Sequence, residues 1–279
     1  MSQITEETFE KILQTFIRSE QIDLRDVSFI DPYGMVGLLE IGELCMLEDV
    51  RKTVILPKSV EVCRYLDRMD FFAFAKRYFF LEETSNDAGK SQRSPDSDVL
   101  LEITPIEKSN DIHFIVGKVR DRAQAILATH LRYDERAISG FIVALSEICQ
   151  NIVEHSENKG FVGIQKYRYK SLDRNIVKIA VMDAGIGFRK SLANRFKLRS
   201  DFEAIDKALL QGASRYEDEG RGHGLAGVRK FVTEWQGRLS IRSGTARLSI
   251  IPQWARGRNR ERNLTFFPGS QINIILPEV

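Results

Sequence analysis

Glu147, Asn151 and His155 recur every four residues in the run Ala144-Leu145-Ser146-Glu147-Ile148-Cys149-Gln150-Asn151-Ile152-Val153-Glu154-His155. That spacing puts them on one face of a helix. Leu145, Ile148 and Ile152 form an apolar stripe roughly 100° away, so the helix can pack on a sheet while its polar edge faces a cleft. Asparagine offers a neutral oxygen suited to a hydrated magnesium ion bridging phosphates. A carboxylate one turn earlier can orient or deprotonate a nucleophile near a terminal phosphate. Taken alone, the same stripe also reads as an ordinary solvated helix face.

Three glycine-bearing segments follow in order. The strand carrying Val177, Ile179 and Val181 ends at Asp183-Ala184-Gly185-Ile186-Gly187. A carboxylate at a buried strand end needs a partner, and the exocyclic amine of adenine is a suitable donor. Gly185 and Gly187 let the backbone pass close to a base, although Asp-Ala-Gly by itself is also a plain turn signal. Next, Gly220-Arg221-Gly222-His223-Gly224-Leu225-Ala226-Gly227 straddles the entry to a helix over 228–235. Its amides can cradle phosphates, and its glycines permit a lid to swing. No Gly-Lys-Ser/Thr follows, so this is not a Walker A loop; no strand precedes it, so it is not a dinucleotide fingerprint. Last comes Gly269-Ser270-Gln271, ahead of a strand over 272–276.

The elements that must position these residues are legible from periodicity. Phe9, Ile12, Leu13 and Phe16 mark a first helix, and Met35, Leu38, Leu39 and Gly42 a second, with strands at 22–24 and 53–56 and a further helix over 60–69. Such alternation implies a parallel or mixed sheet with helices against it. Residues 84–98 contain no large apolar side chain and read as a linker. Beyond it we expect a strand near 112–116, two long helices, strands at 162–167 and 177–182, a mostly helical stretch over 189–216, and strands at 239–241, 248–251, 264–267 and 272–276. The fold class expected is α/β, with an α+β two-layer sandwich after residue 98. The domains expected are 1–83, a linker at 84–98, and 99–279, with proteolysis in the linker releasing an ATP-binding fragment.

The order Glu-x3-Asn-x3-His, Asp-x-Gly-x-Gly, a glycine-rich lid end and a final Gly-Ser before a strand resembles the GHKL superfamily of Bergerat-fold ATPases, which includes gyrase-type, chaperone, histidine-kinase and mismatch-repair enzymes. The run Ser146 to Ser156 is most similar to anti-sigma serine kinases and histidine kinases. The resemblance implies ATP and Mg2+ as cofactors, Glu147 as catalytic base, and Asn151 as magnesium ligand. It makes Asp183 the adenine reader beside Gly185 and Gly187, with Ser270 supporting it. Gly222, His223, Gly224, Leu225 and Gly227 become the lid end on the phosphates. His113, in the segment expected as a strand, and His130, in Thr129-His130-Leu131-Arg132, lack the setting of a phosphoacceptor, which argues against a sensor histidine kinase.

Ile22-Asp23-Leu24 and Val27-Ser28-Phe29-Ile30-Asp31-Pro32-Tyr33-Gly34, with the 53–56 strand, resemble a STAS domain, the fold of anti-sigma antagonists. Pro32 and Tyr33 stand where that family carries a phosphorylatable serine, so the unit is expected to dock a partner or the neighbouring domain. The function implied is an Mg-ATP-binding regulatory protein, an ATPase or anti-sigma-type serine kinase acting on a protein partner, either a regulatory target or a STAS-type antagonist. The alternative is a non-catalytic ATP-gated interaction module, and a homodimer stays open.

Composition bounds these readings. The 41 basic and 39 acidic residues nearly cancel to +2, which argues against a nucleic-acid partner. The Arg256, Arg258, Arg260, Arg262 run then reads as an exposed hairpin tip, and Phe71, Phe72, Phe74, Tyr78, Phe79 and Phe80 as core or interdomain packing. No uninterrupted apolar run nears the ~20 residues of a membrane span. Cys45, Cys63 and Cys149 read as reduced core residues of a cytoplasmic protein.

Overall fold

The structure is a computed structural model that describes residues 3–82, 98–169, 172–213 and 224–279. Most of the expected linker and the lid residues Gly220 to His223 lie outside the described residues. Of the linker, Asp98 is described, and it is tied to Lys166 by a 2.8 Å ion pair and a backbone hydrogen bond.

Seven antiparallel strands form the main sheet, in the order Arg260–Glu261, Ala246–Ile250, Arg238–Gly244, Phe267–Pro277, Arg174–Asp183, Gly160–Tyr169 and Val99–Ile106. Strand alternation sends Val177, Ile179, Val181, Leu239, Ile241, Ile272, Ile274 and Leu276 to one face, where they share a core with the helices Ser109–Ala123, Glu135–His155, Asp201–Leu210 and Gly224–Glu234. This is the helix-on-sheet sandwich expected for residues 99–279.

The opposite face is mixed. Ala180 and Met182 are apolar, but Lys178, Arg238, Ser240, Arg242, Gln271 and Asn273 share that side. It is covered by the N-terminal unit, in which Gln21–Asp23, Thr53–Ile55 and Phe80–Glu82 pair as a parallel sheet and Gln3–Ile4 pairs with Phe29–Ile30. The Pro32–Leu47 helix is buried all round from Pro32 to Glu43, as an apolar helix between two layers must be. Val99, Ile103, Phe161, Ala180, Met182 and Phe267 of the main sheet pack in one core with Phe9, Met35, Leu39 and Phe79. Phe74 and Tyr78 place their rings edge-on to Phe161, 5.4 and 6.4 Å away. Phe74 and Tyr78 of the aromatic run therefore pack between the two units, whereas Phe80, expected in the same packing, is exposed, with the Arg51 guanidinium over its ring.

Charge complements the apolar contact. The Glu6–Arg18 helix carries Glu6 to Arg238 and Arg247, Glu7 to Arg238 and Glu10 to Arg242. Asp31 caps the Pro32–Leu47 helix at Gly34 N and accepts Lys178 Nζ at 2.8 Å.

Three expectations change. Residues 112–116, His113 included, are helical: Ile112, Ile115, Val119 and Ala123 make a buried stripe, and Asp111 accepts from the amides of Glu107 and Lys108. The strand is Val99–Ile106 instead. Residues 189–213 break into Gly187–Ser191 and Asp201–Leu210, because Ser200 caps a new helix at Glu203 N. Residues 264–266 are not strand; the last strand starts at Phe267.

The Glu135–His155 helix is long and apolar enough by composition to cross a bilayer. Here Ala137, Phe141, Ala144, Leu145, Ile148, Cys149 and Ile152 are buried in the core instead.

Candidate functional site

Asp134 starts the Glu135–His155 helix by accepting the Ala137 amide at 2.7 Å. Its apolar stripe enters the core, and Glu147, Gln150, Asn151, Glu154 and His155 are left lining a cleft of about 870 Å3. Asp183, Gly187 and Ser270 close one end of that cleft, and Gly224 and Leu225 line it from the next helix. Phe188, Leu192 and Ala208 provide an apolar wall. That space includes solvent at the mouth of the cleft.

Asp183 is 2% exposed. Its Oδ1 accepts the Gly185 amide at 2.8 Å, and its Oδ2 accepts the Ser270 amide at 3.2 Å and the Ser270 hydroxyl at 2.5 Å. Burial pushes its pKa up to about 6, against the pull of these three bonds. A carboxylate offers roughly four acceptor positions, so one at Oδ1 remains for a donor from the cleft. Gly269 makes this grip possible. It has φ +72°, and a Cβ there would lie 2.0 Å from the Asp183 carbonyl oxygen. Only glycine lets the last strand pass so close.

The Asn151 side-chain nitrogen is buried with no hydrogen-bond partner among the described residues. Its amide is thus not committed to the protein through that atom, as fits a group that meets a ligand. Among the described residues no three His, Cys, Asp or Glu side chains are grouped to hold a metal. A magnesium ion here would rest on Asn151 and on phosphate oxygens, the usual habit of an ion that keeps its waters. At the other end, a Cβ on Gly224 would stand 3.6 Å from Glu147 Oε2, which brings the start of the Gly224–Glu234 helix to the carboxylate.

Of the residues expected at the site, Glu147, Asn151, Asp183, Gly187, Gly224, Leu225 and Ser270 line one cleft. Gly185 does not line it; its amide holds Asp183, and a Cβ there would strike the Ser156 carbonyl at 2.0 Å. Gly227 lies one turn into its helix and lines a neighbouring groove that also reaches Glu147. Gly222 and His223 are outside the described residues. Gln271 faces the other side of the sheet, where it accepts from Arg242.

Two features escape a reading of the sequence. The apolar wall from Phe188, Leu192 and Ala208 shows its sidedness only once the 187–213 segment is broken into two helices. Glu40, on the Pro32–Leu47 helix, is fully buried, and neither carboxyl oxygen has a partner among the described residues. Burial, and then the charges of Asp183 and Glu43, hold its pKa well above the carboxylate range.

Residues 138–276 match the family model of the histidine kinase-, DNA gyrase B- and HSP90-like ATPases. A search of curated proteins returned no match. The match begins three residues into the helix of Glu147 and ends in the strand that carries Ser270, and so takes in the whole described cleft. Residues 138–276 are a GHKL-type ATPase domain, of the kind that binds ATP.

Proposed function

We propose that this protein is a cytoplasmic Mg-ATP-dependent regulatory enzyme, an ATPase or serine kinase of the anti-sigma type, acting on a protein partner. One observation carries the reading. A single helix presents Glu147 and Asn151 to the same cleft that Asp183 lines, so a carboxylate suited to reading a base and a carboxylate suited to proton transfer share one cavity. Bound ATP supplies the phosphoryl group and its magnesium the charge neutralisation. Asp183 would accept the adenine amine, Asn151 would meet the ion, and Glu147 would orient or deprotonate a water or a serine hydroxyl.

The STAS-like reading of the N-terminal unit is supported by its parallel sheet flanked by helices. Its turn is not free to act as a phospho-switch, because Pro32 and Tyr33 are buried and Asp31 is paired with Lys178. A second reading, the ATP-gated interaction module, is favoured by the strand Arg174–Asp183. It carries Lys178, held by the N-terminal unit, and Asp183, at the nucleotide end. The test incubates the protein with γ-labelled ATP, alone and with the products of neighbouring genes. Label on a partner serine identifies the kinase, and phosphate release alone the ATPase. If neither occurs while ATP protects 187–210 from hydrogen exchange, the gated module takes its place.

Two further results are expected. Asp183→Asn should weaken ATP binding about ten- to a hundredfold, since a charge-assisted bond of ~1.5–3 kcal/mol becomes a poorer one. GTP, with a carbonyl where adenine has its amine, should bind far less well than ATP, and equal affinities by calorimetry would remove Asp183 from this role. The same carboxylate is ionised above about pH 6 and protonated below it. ATP affinity should therefore hold above pH 6 and fall as the pH drops through it, a limb absent from Asp183→Asn. Asn151→Ala should impair magnesium-dependent binding and turnover together, whereas magnesium-free nucleotide binding should change little.

A further inference from the structure

Glu147 lines two cavities. One is the nucleotide cleft; the other is a groove between the Glu135–His155 and Gly224–Glu234 helices, with about 760 Å3 of space open to solvent. Arg136, Gly140, Ala144 and Glu147 follow each other at helical spacing, so the face that meets the nucleotide continues into the groove and the carboxylate is the joint between them. The groove has an apolar wall from Val143, Phe231 and Trp235. Its floor is small by necessity: a Cβ on Gly140 would lie 2.8 Å from the Phe231 ring. Arg136 and Glu234 pair at 2.9 Å on its rim and offset one another. Lys230, on the same rim, has no carboxylate partner among the described residues. Val143 is 60% exposed, so its side chain is open to a partner.

We propose that this groove receives a serine- or threonine-bearing segment of a protein partner, with an apolar side chain against Val143 and Phe231 and an acidic one toward Lys230. The proposal rests on the kinase form of the function above and names its substrate class. A hydroxyl is required because the groove ends on Glu147, the group that would take its proton, and ATP fills the cleft on the other side. An acidic neighbour suits the groove because Lys230 is its one cation without a carboxylate partner among the described residues, while Glu147, its other unpaired charge there, meets the hydroxyl. The register follows from helix geometry. Val143 precedes Glu147 by four residues, about 6 Å along the axis at 1.5 Å per residue. An extended chain rises about 3.3 Å per residue. The apolar anchor therefore sits two positions from the hydroxyl.

The test uses the full chain and a pool of peptides with a fixed central serine and random flanks. One arm follows transfer of label from γ-labelled ATP. The other follows retention of the pool on immobilised protein with a non-hydrolysable ATP analogue. The expected result is selection for an apolar residue two positions from serine and for a nearby acidic residue. Val143→Asp should lower transfer and retention at least tenfold, and Lys230→Glu should exchange the acidic preference for a basic one. Both side chains are exposed, so ATP affinity should stay at the wild-type value and certify folding. Transfer that ignores both substitutions overturns the groove while leaving the kinase reading in place. Retention that depends on Val143 without any transfer supports the groove and removes the kinase. Neither transfer nor Val143-dependent retention overturns the proposal, as does selection of peptides with no acidic or apolar preference.

Discussion

Glu147→Ala is expected to leave Mg-ATP affinity within a few-fold of wild type and to cut turnover by about a hundredfold or more, the usual scale for losing a positioned base. Glu147 sits at the junction of the nucleotide cleft and the groove beside it, away from Asp183 at the base-reading end. Its carboxylate would act on the attacking oxygen and not on the nucleotide, so binding and turnover should separate. Glu147→Gln keeps the shape and the hydrogen-bonding ability but not the basicity, and should lose nearly as much. Fluorescent-nucleotide titration and labelled-phosphate release, measured on the same preparations, check this. Affinity and turnover that fall together would make Glu147 a structural part of the pocket, and turnover near wild type in both variants would take the base role from it.

That prediction was available from the sequence because every part of it is local. The four-residue spacing of Glu147, Asn151 and His155 is a helical repeat, and Val177, Ile179 and Val181 lead by strand alternation to Asp183 on the same side of the sheet. Ser270 is placed against Asp183 only by the family resemblance, and the strand register pairs the two directly. The segment 112–116 went astray for a converse reason. Its apolar–polar alternation suggests a strand over five positions, but the buried stripe through Val119 and Ala123 needs fifteen residues to be seen. Val99–Ile106 was hidden because Glu102 breaks its apolar run, and only the fold shows that carboxylate buried and answered by Lys118 and Arg122.

The reverse face of the sheet was illegible for a deeper reason. Lys178, Arg238 and Arg242 alternate with apolar residues, the pattern of a strand with one face in solvent. Their partners Asp31, Glu7 and Glu10 lie far away in the chain, on what looks like a solvated helix and a turn. Complementary charges separated by more than a hundred residues leave no periodic trace. The same face bears on how the two units can be parted. A piece beginning after the 84–98 segment would expose Ala180, Met182 and Phe267 and would leave buried arginines without their carboxylates. Such a piece is expected to aggregate.

Lys178→Met is the sharpest test of that contact and is expected to destabilise the folded protein by about 3–5 kcal/mol, the scale for breaking one side of a buried ion pair. Asp31 is fully buried, and its Oδ2 accepts Lys178 Nζ at 2.8 Å. Burial pulls the lysine pKa down, but Asp31, with Glu7 and Glu6, more than offsets it, so the pKa is raised and the ammonium stays charged. Methionine keeps the length of the stem and removes the charge, leaving the buried Asp31 carboxylate with its cap to Gly34 but without its cation. Asp31→Asn keeps that cap and removes the stranded charge. Lys178→Met with Asp31→Asn should therefore recover much of the loss, giving a coupling energy well above the few tenths of a kcal/mol seen between independent sites. Urea denaturation of the four proteins of this cycle supplies the measurement. A loss under 1 kcal/mol for Lys178→Met, or simple additivity in the double variant, would mean that the apolar contacts alone hold the N-terminal unit to the sheet. Strong coupling would show that the charges on this face specify the docking of the N-terminal unit.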